Sequence, residues 1–157
     1  MPLLNYTTKI PYEKTIAQIE ALLIIHGASG IHKKVDSQHH VCALVFGLET
    51  PNGTLPIKLP IEVEATHKVL KRQYLNREVS KRFVTEDHAR RVAWRIIKDW
   101  LEAQVWLVET EMAKMEQIML PYLVVDKEYT LYEVMRDRGF LLKEGTISDT
   151  DPIQRED

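Results

Sequence analysis

The amino-acid sequence predicts an α+β fold in which an N-terminal helix is followed by a three-stranded antiparallel sheet and then by three helices. Two observations lead to this class. Apolar residues recur with the 3.6-residue period of a helix before residue 28 and after residue 60, whereas the stretch between them is rich in β-favouring residues. That stretch also contains Pro51-Asn52-Gly53, a strong signal for a hairpin turn. The expected order of elements is therefore α-β-β-β-α-α-α.

The first helix is predicted from apolar residues that share one helical face just after Tyr12. They are Ile16, Ile19, Leu22 and Leu23. The stripe stops near Gly27, and glycine readily adopts the left-handed conformation in which many helices end. We therefore expect the first helix to close at this glycine.

Three antiparallel strands are expected next, at about 30–36, 40–49 and 54–59. Gly47 in the middle strand predicts a bulge, because glycine inside a strand often marks an interrupted ladder.

Cys42 is the only cysteine, so an internal disulfide is excluded. Its place in the apolar run VCALVF predicts a buried side chain.

The segment after Pro60 predicts a second helix with a basic C-terminal end. Its apolar face comprises Val63, Thr66, Val69, Leu70 and Tyr74. Lys71 and Arg72 lie mostly off that face, and positive charge at a helix C-terminus also complements the helix dipole. Part of this charge thus has a purely structural explanation. Leu75 to Val84 are expected to form a connecting loop.

A long third helix is predicted from about Glu86 to Met119, with Thr85 as its N-cap. Such a helix would be about 50 Å long. Its apolar residues fall on two faces: Ala89, Ala93, Ile96, Trp100, Ala103 and Leu107 on one, and Val92, Ile97, Leu101, Val105, Val108 and Met112 on the other. A central position in the core explains both faces, and a homodimer formed partly by this helix is the alternative.

The end of the chain predicts a short strand, a last helix and a tail. Pro121 ends the long helix, and the LVV that follows is a candidate strand. Thr130 and Glu133 form the pattern of a capping box, which opens a helix that closes at Gly139. We expect a single compact α+β domain over 1–147 and an acidic, flexible tail over 148–157.

The charge of the chain is unevenly distributed. Between Lys68 and Lys98 there are ten basic and three acidic residues, a net charge of +7, so the remaining chain carries −9 to give the total of −2. A basic segment in a mildly acidic protein is typical of a surface that meets phosphate or an acidic partner. The sequence therefore predicts a basic patch that binds nucleic acid.

The candidate residues combine positive charge with an aromatic ring. The predicted nucleic-acid-binding residues are Lys71, Arg72, Arg77, Lys81, Arg82, Arg90, Arg91, Trp94 and Arg95. Rings beside guanidinium groups are how single-strand binders stack bases along a neutralised backbone, so single-stranded DNA or RNA is favoured. The alternative is a solvated basic face whose aromatic residues, such as Tyr74 and Phe83, belong to the core.

No sequence motif indicates an enzyme, a metal site or a cofactor. The chain has no glycine-rich phosphate loop, no nucleophile elbow and no zinc-protease motif. His39 and His40 are adjacent, so on a strand they would point to opposite faces rather than share a metal. We therefore expect no catalytic activity, no metal and no cofactor. The chain also lacks a membrane span and a signal peptide, so a cytoplasmic protein is expected.

Four parts of the sequence together cover nearly the whole chain: an opening LLNYTTKI, a first helix ending in HGA, the hairpin LETPNGTLPIKLP and the block RVAWRIIKDWLEAQ followed by LPYL. In these parts the chain resembles a group of small uncharacterised proteins of bacteriophages, prophages and other mobile elements. The RVAWRIIKDWLEAQ block is the most specific part of this resemblance. The resemblance implies a short accessory protein in the cytoplasm of a bacterial host, and it transfers no functional residues.

Two non-catalytic functions are compatible with this context. In the first, the basic patch binds single-stranded nucleic acid during replication, recombination or packaging. In the second, the protein binds and inhibits a host defence or nucleic-acid-handling protein, with acidic regions mimicking nucleic acid or the basic patch docking on an acidic surface. The first is favoured, because the positive charges are clustered while the acidic ones are spread along the chain.

Overall fold

A computed structural model describes residues 1–140 and confirms the α+β class. The helices are α1 (Tyr12–Ile25), α2 (Val63–Leu75), α3 (Glu86–Glu109), α4 (Met115–Met119) and α5 (Leu131–Asp137). The strands are β1 (Ala28–Val35), β2 (Val41–Thr50), β3 (Gly53–Lys58), β4 (Val124–Asp126) and β5 (Tyr129–Thr130). Single 3-10 turns occupy Lys81–Phe83 and Leu120–Tyr122. The predicted tail 148–157, and 141–147 of the predicted domain, lie outside the described residues.

The first three strands form an antiparallel sheet in the order β1-β2-β3, as predicted. Thr50 pairs with Gly53 across the predicted turn. The bulge expected at Gly47 lies instead on the facing strand, where β1 advances by three residues from Ser29 to His32 while β2 advances by two. Gly30 in that bulge has a φ of 55°, a left-handed conformation that favours glycine.

The prediction that Cys42 is buried is wrong, because its side chain is exposed. Lys34 pairs with Ala43 and the next residue, Val35, pairs with Val41. Cys42 is therefore the residue that a second bulge leaves without a partner in the ladder. The irregularity breaks the inward-outward alternation at the start of β2, so an apolar neighbourhood in the sequence does not bury the thiol.

The hydrophobic core lies between the sheet and the helices α1 and α3. Its buried members come from α1, from β2, from β3 and the residue that follows it, from α3 and from α4: Ile16, Ile19, Leu23, Leu44, Phe46, Leu48, Ile57, Leu59, Trp94, Ile97, Leu101 and Met119. Helix α2 packs against α3. The β4-β5 hairpin, whose second strand the sequence did not predict, joins the sheet edge through a bridge between Leu123 and Ile57.

The third helix is shorter than the sequence predicted, because it ends at Glu109 rather than near Met119. Its 24 residues span about 36 Å. The helix closes in a Schellman motif, in which the Met112 amide donates to the Leu107 carbonyl and the Glu111 amide donates to the Val108 carbonyl, both at 3.0 Å. The Thr110 hydroxyl adds a hydrogen bond to the Trp106 carbonyl at 2.7 Å. Glu111 then adopts a φ of 60°, which reverses the chain before α4.

Both predicted helix caps are confirmed. Thr85 Oγ1 accepts a hydrogen bond from the His88 amide at 3.1 Å, as an N-cap residue should. Thr130 and Glu133 form a reciprocal capping box at the start of α5, in which the Thr130 amide donates to the Glu133 carboxylate at 2.7 Å. This hydrogen bond is the main cause of a lowered pKa of Glu133, with smaller contributions from the Thr130 hydroxyl and from the charges of Lys58 and Arg136.

The lowered pKa of Glu133 predicts a pH-dependent contribution to stability. A carboxyl whose pKa is lower in the folded state stabilises the fold above its unfolded pKa, about 4.3, and loses that contribution as the pH falls through the folded value. We expect Glu133→Ala to lower the free energy of unfolding by about 0.3–1.5 kcal/mol at pH 7. Urea denaturation at pH 7 and at pH 3 should show a smaller difference from wild type at pH 3. An equal difference at both pH values would contradict this role of the charge.

Candidate nucleic-acid interface

Five of the predicted binding residues are exposed on the end of α2 and on the loop that follows. They are Lys71, Arg72, Arg77, Lys81 and Arg82. Within residues 1–140, none of these five forms an ion pair, whereas Lys68 pairs with Glu64 at 3.0 Å and Lys98 pairs with Glu102. None of the five is thus held in direct contact with a carboxylate of the described residues.

The loop turns sharply at the end of α2. Arg77 has a φ of 61°, and the Glu78 amide donates back to the Gln73 carbonyl at 2.8 Å. This hydrogen bond closes the helix end in the manner of a Schellman motif, with arginine at a position that glycine usually occupies. The 3-10 turn Lys81–Phe83 then leads to the N-cap of α3. The two turns present the loop cations next to the first turns of α3.

The N-terminal segment before α1 forms the opposite wall of this region. The buried Gln73 side chain accepts from the Leu3 amide and donates to the Met1 carbonyl, both at 3.0 Å. His88 contacts the Tyr6 carbonyl through Nε2 at 2.5 Å, and the N-terminal ammonium pairs with Glu78 at 2.9 Å. The ammonium is also the main cause of a lowered pKa of Glu78.

This segment places Thr7, Thr8 and Lys9 beside the loop cations. Lys9 is not among the binding residues predicted from the sequence, because it lies far from the basic segment along the chain. The only sequence signal was its position in the polar stretch that follows the apolar start LLNY. Counting charges over one continuous segment of the sequence therefore does not identify Lys9.

Three adjoining pockets form a groove between the N-terminal segment, the loop and α3; we call it the basic groove. The first pocket, of about 380 Å³, is lined by residues that include Tyr74, Arg77, Glu78, Arg82 and Phe83. The middle pocket, of about 370 Å³, is lined by Thr7, Thr8, Lys9, Arg82, Phe83, His88 and Arg91. The third, of about 300 Å³, is lined by residues that include Lys9, Glu13, His40, Asp87 and Arg91. Neighbouring pockets share lining residues, so the groove is continuous.

Three aromatic residues, Tyr6, Tyr74 and Phe83, line the first pocket. Phe83 is half-buried, with the Arg82 guanidinium 4.6 Å from its ring centre and the Tyr6 ring edge-on at 5.4 Å. Tyr74 is 40% exposed, so it lies on the surface, and the alternative that placed it in the core is wrong for this residue. Tyr74 and the Arg82 guanidinium plane are therefore the surfaces on which a base could stack.

The prediction that Trp94 contacts nucleic acid is wrong, because its side chain has no exposed surface. Trp94 lies three residues before Ile97 and seven before Leu101, and this spacing puts all three on one face of α3, in the core. The same spacing was available in the sequence. Within the described residues, the indole N–H has no hydrogen-bond partner.

Arg90 was also predicted to bind nucleic acid, but its side chain is buried and paired with carboxylates. Only 4% of its surface is exposed, and its guanidinium donates to Asp87 at 2.7 Å and Glu86 at 3.2 Å. It lies one helical turn before Trp94, on the face of α3 that turns toward the core. Arg90 lines the third pocket, but the two largely exposed carboxylates already neutralise it there.

Arg91 and Arg95 are both half-buried but differ in position. Arg91 lines the middle and third pockets and donates to His88 Nδ1 at 3.1 Å. Arg95, one turn later, donates to Gln18 of α1 at 2.6 Å and lines none of the three pockets. Four of the predicted arginines, Arg77, Arg82, Arg90 and Arg91, thus line one groove, and Arg95 lies outside it.

Other kinds of site were also considered. Among residues 1–140, no group of three or more histidine, cysteine, aspartate or glutamate side chains is arranged to hold a metal ion. In the same part of the chain, no helix combines the length and the apolar character that crossing a membrane requires. Comparisons with protein-family models, with curated proteins and with solved structures found no match.

Proposed function

We propose that this protein is a non-enzymatic accessory protein that binds single-stranded nucleic acid in the basic groove. The observation that carries the proposal is the set of four cations along one concave surface: Lys9, Arg77, Arg82 and Arg91. Within the described residues none of the four forms an ion pair, so each is available to a phosphate. Neutralising phosphates is the largest source of affinity for nucleic acid.

The shape of the groove favours a single strand over a duplex. Proteins that read duplex DNA insert a helix or a β-ribbon into the major groove, which requires a protruding element. Here the cations line a concave surface, and Tyr74 and the Arg82 plane supply stacking surfaces for unpaired bases. The setting we propose is the one that the resemblance implies, a phage or prophage protein acting in a bacterial cell.

Fluorescence anisotropy with labelled single-stranded DNA, single-stranded RNA and duplex DNA tests this function. We expect salt-sensitive binding, strongest for a single strand. Replacing the groove residues Lys9, Arg77 and Arg82 together with glutamine should weaken binding at least about tenfold for every sequence. It should also flatten the slope of log affinity against log salt by about 2, because each phosphate contact on a single strand contributes about 0.7.

A matched triple variant controls for net charge. Lys114, Lys127 and Arg138 are exposed and line none of the three pockets, so replacing them with glutamine removes the same charge elsewhere. We expect this control to bind within about twofold of wild type, since distant exposed charges are screened. Equal losses in the two triple variants would show that only net charge matters and would contradict binding in the groove.

A second candidate function is the inhibition of a host defence or nucleic-acid-handling protein. It is favoured by an apolar surface where α1 and α3 end, which carries Ile25 at 75% and Trp106 at 63% exposure. His26 pairs with Glu109 at 3.0 Å, which holds these helix ends together. Exposed apolar patches are typical of protein contacts, including a homodimer through α3. Absence of oligonucleotide binding at low salt would favour this second function.

A further inference from the structure

The middle pocket of the basic groove differs from its two neighbours in charge. Lys9, Arg82 and Arg91 line it, and no carboxylate does. The first pocket contains Glu78, and the third contains Glu13 and Asp87. The most positive part of the groove is therefore its centre, in a pocket of about 370 Å³.

His88 holds Arg91 in this pocket and leaves the other N–H groups on Nη1 and Nη2 without a partner among the described residues, while Nε is buried. His88 Nε2 lies 2.5 Å from the Tyr6 carbonyl, which can only accept, so Nε2 carries the hydrogen and Nδ1 is an acceptor. Nδ1 then accepts from Arg91 at 3.1 Å. A guanidinium has five N–H donors, and this is the one hydrogen bond that Arg91 makes within the described residues. A planar fork with free donors matches the oxygens of a phosphate.

Two hydroxyl groups complete the wall that faces Arg91. Thr8 Oγ1 accepts from the Ile10 amide at 3.3 Å, which leaves its own hydrogen free to donate. Thr7 lines the same pocket and is exposed. Hydroxyl donors beside guanidinium and ammonium groups are common partners of phosphate oxygens.

We propose that the middle pocket is a phosphate subsite, in which Arg82, Arg91 and Lys9 neutralise one phosphate group and the threonine hydroxyls orient it. The subsite rests on the proposed function and deepens it, because it names the group that anchors the strand at the centre of the groove. The same chemistry would bind free inorganic phosphate. The two sources of phosphate are separated by experiment.

Titration of the full-length protein with inorganic phosphate tests the subsite directly. Phosphate replaces chloride at constant ionic strength, and backbone amide shifts are followed by NMR. We expect saturable shifts in residues 6–9 and 82–91. Arg91→Gln should raise the apparent dissociation constant at least about tenfold, since hydrogen bonds between charged groups are the strong ones. Arg95→Gln removes the same charge one turn away and should change it less than about twofold.

The outcomes of this titration test the phosphate subsite independently of the proposed binding of nucleic acid. Saturable shifts that are lost in Arg91→Gln and kept in Arg95→Gln support the subsite, even if no oligonucleotide binds and the proposed function fails. Non-saturable shifts, or equal effects of the two variants, overturn it, even if oligonucleotides bind tightly. Should Arg91→Gln fail to fold, Arg82→Gln decides in the same way, because the exposed Arg82 does not contribute to the core.

Discussion

Replacing Trp94 with alanine should lower the free energy of unfolding by about 3–5 kcal/mol, the largest single-residue effect that we expect in this protein. The indole has no exposed surface and packs among the core residues of α1, the sheet and α3. Its removal leaves a cavity that the surrounding elements fill only in part. Urea denaturation followed by circular dichroism measures the loss without relying on tryptophan fluorescence.

Trp94→Phe separates the core role of this residue from a role in binding. Phenylalanine fills most of the site and removes a buried N–H that has no partner among the described residues, so the loss of stability should be smaller than for alanine. The folded variant should bind oligonucleotides as wild type does. A folded Trp94→Phe protein with greatly weakened binding would return Trp94 to the interface and contradict its position in the core.

Gly47→Ala should lower the free energy of unfolding by about 1–3 kcal/mol, because the sheet has no room for a side chain at this position. A Cβ atom there would lie 2.7 Å from Ser29 Oγ, 2.7 Å from Thr54 Cγ2 and 2.9 Å from the Ser29 carbonyl oxygen. The two side-chain atoms can move, but the carbonyl belongs to the bulged strand β1. Thermal and urea unfolding give the magnitude.

Two further variants identify crowding as the cause of this loss. Adding Thr54→Ser to Gly47→Ala removes one of the clashing atoms and should recover part of the stability, while the Ser29 carbonyl still opposes the new methyl group. Gly27→Ala provides a contrast, because that glycine has a φ of 85° and no atom within 4 Å of a built Cβ. Its cost of about 1 kcal/mol would come from the backbone alone. A Gly47→Ala protein as stable as wild type would refute the steric explanation.

The local elements were largely predictable from the sequence, because each depends on residues that lie close together in the chain. The periodicity of α1, the turn at Pro51-Asn52-Gly53 and the caps at Thr85 and Thr130 involve interactions over four residues or fewer. The burial of Trp94 was also predictable, because its spacing of three and seven residues from Ile97 and Leu101 places all three on one helical face. Trp94 was assigned to the interface because its aromatic ring and the charges around it in the sequence were given more weight than its position in the helical period.

Other errors arose where the backbone departs from its regular geometry. Helix α3 closes in a Schellman motif in which Glu111 reverses the chain, although neither Thr110 nor Glu111 forbids a helix by its type. Cys42 is exposed because a bulge shifts the register of β2 against β1. A bulge changes the face that a residue occupies, and no period-two pattern within a single strand reveals it.

The sequence by itself determined the α+β class, the order of the first elements and the presence of a basic segment, since these depend on composition and on short-range pattern. Tertiary structure decided which charges are available. It neutralised Arg90, turned Arg95 toward α1 and added Lys9 to the groove. The contacts that hold the N-terminal segment in place join residues 72 and 82 positions apart, Met1 with Gln73 and Tyr6 with His88. Only a folded chain brings such residues within hydrogen-bonding distance, so the candidate site could not be assembled from local sequence.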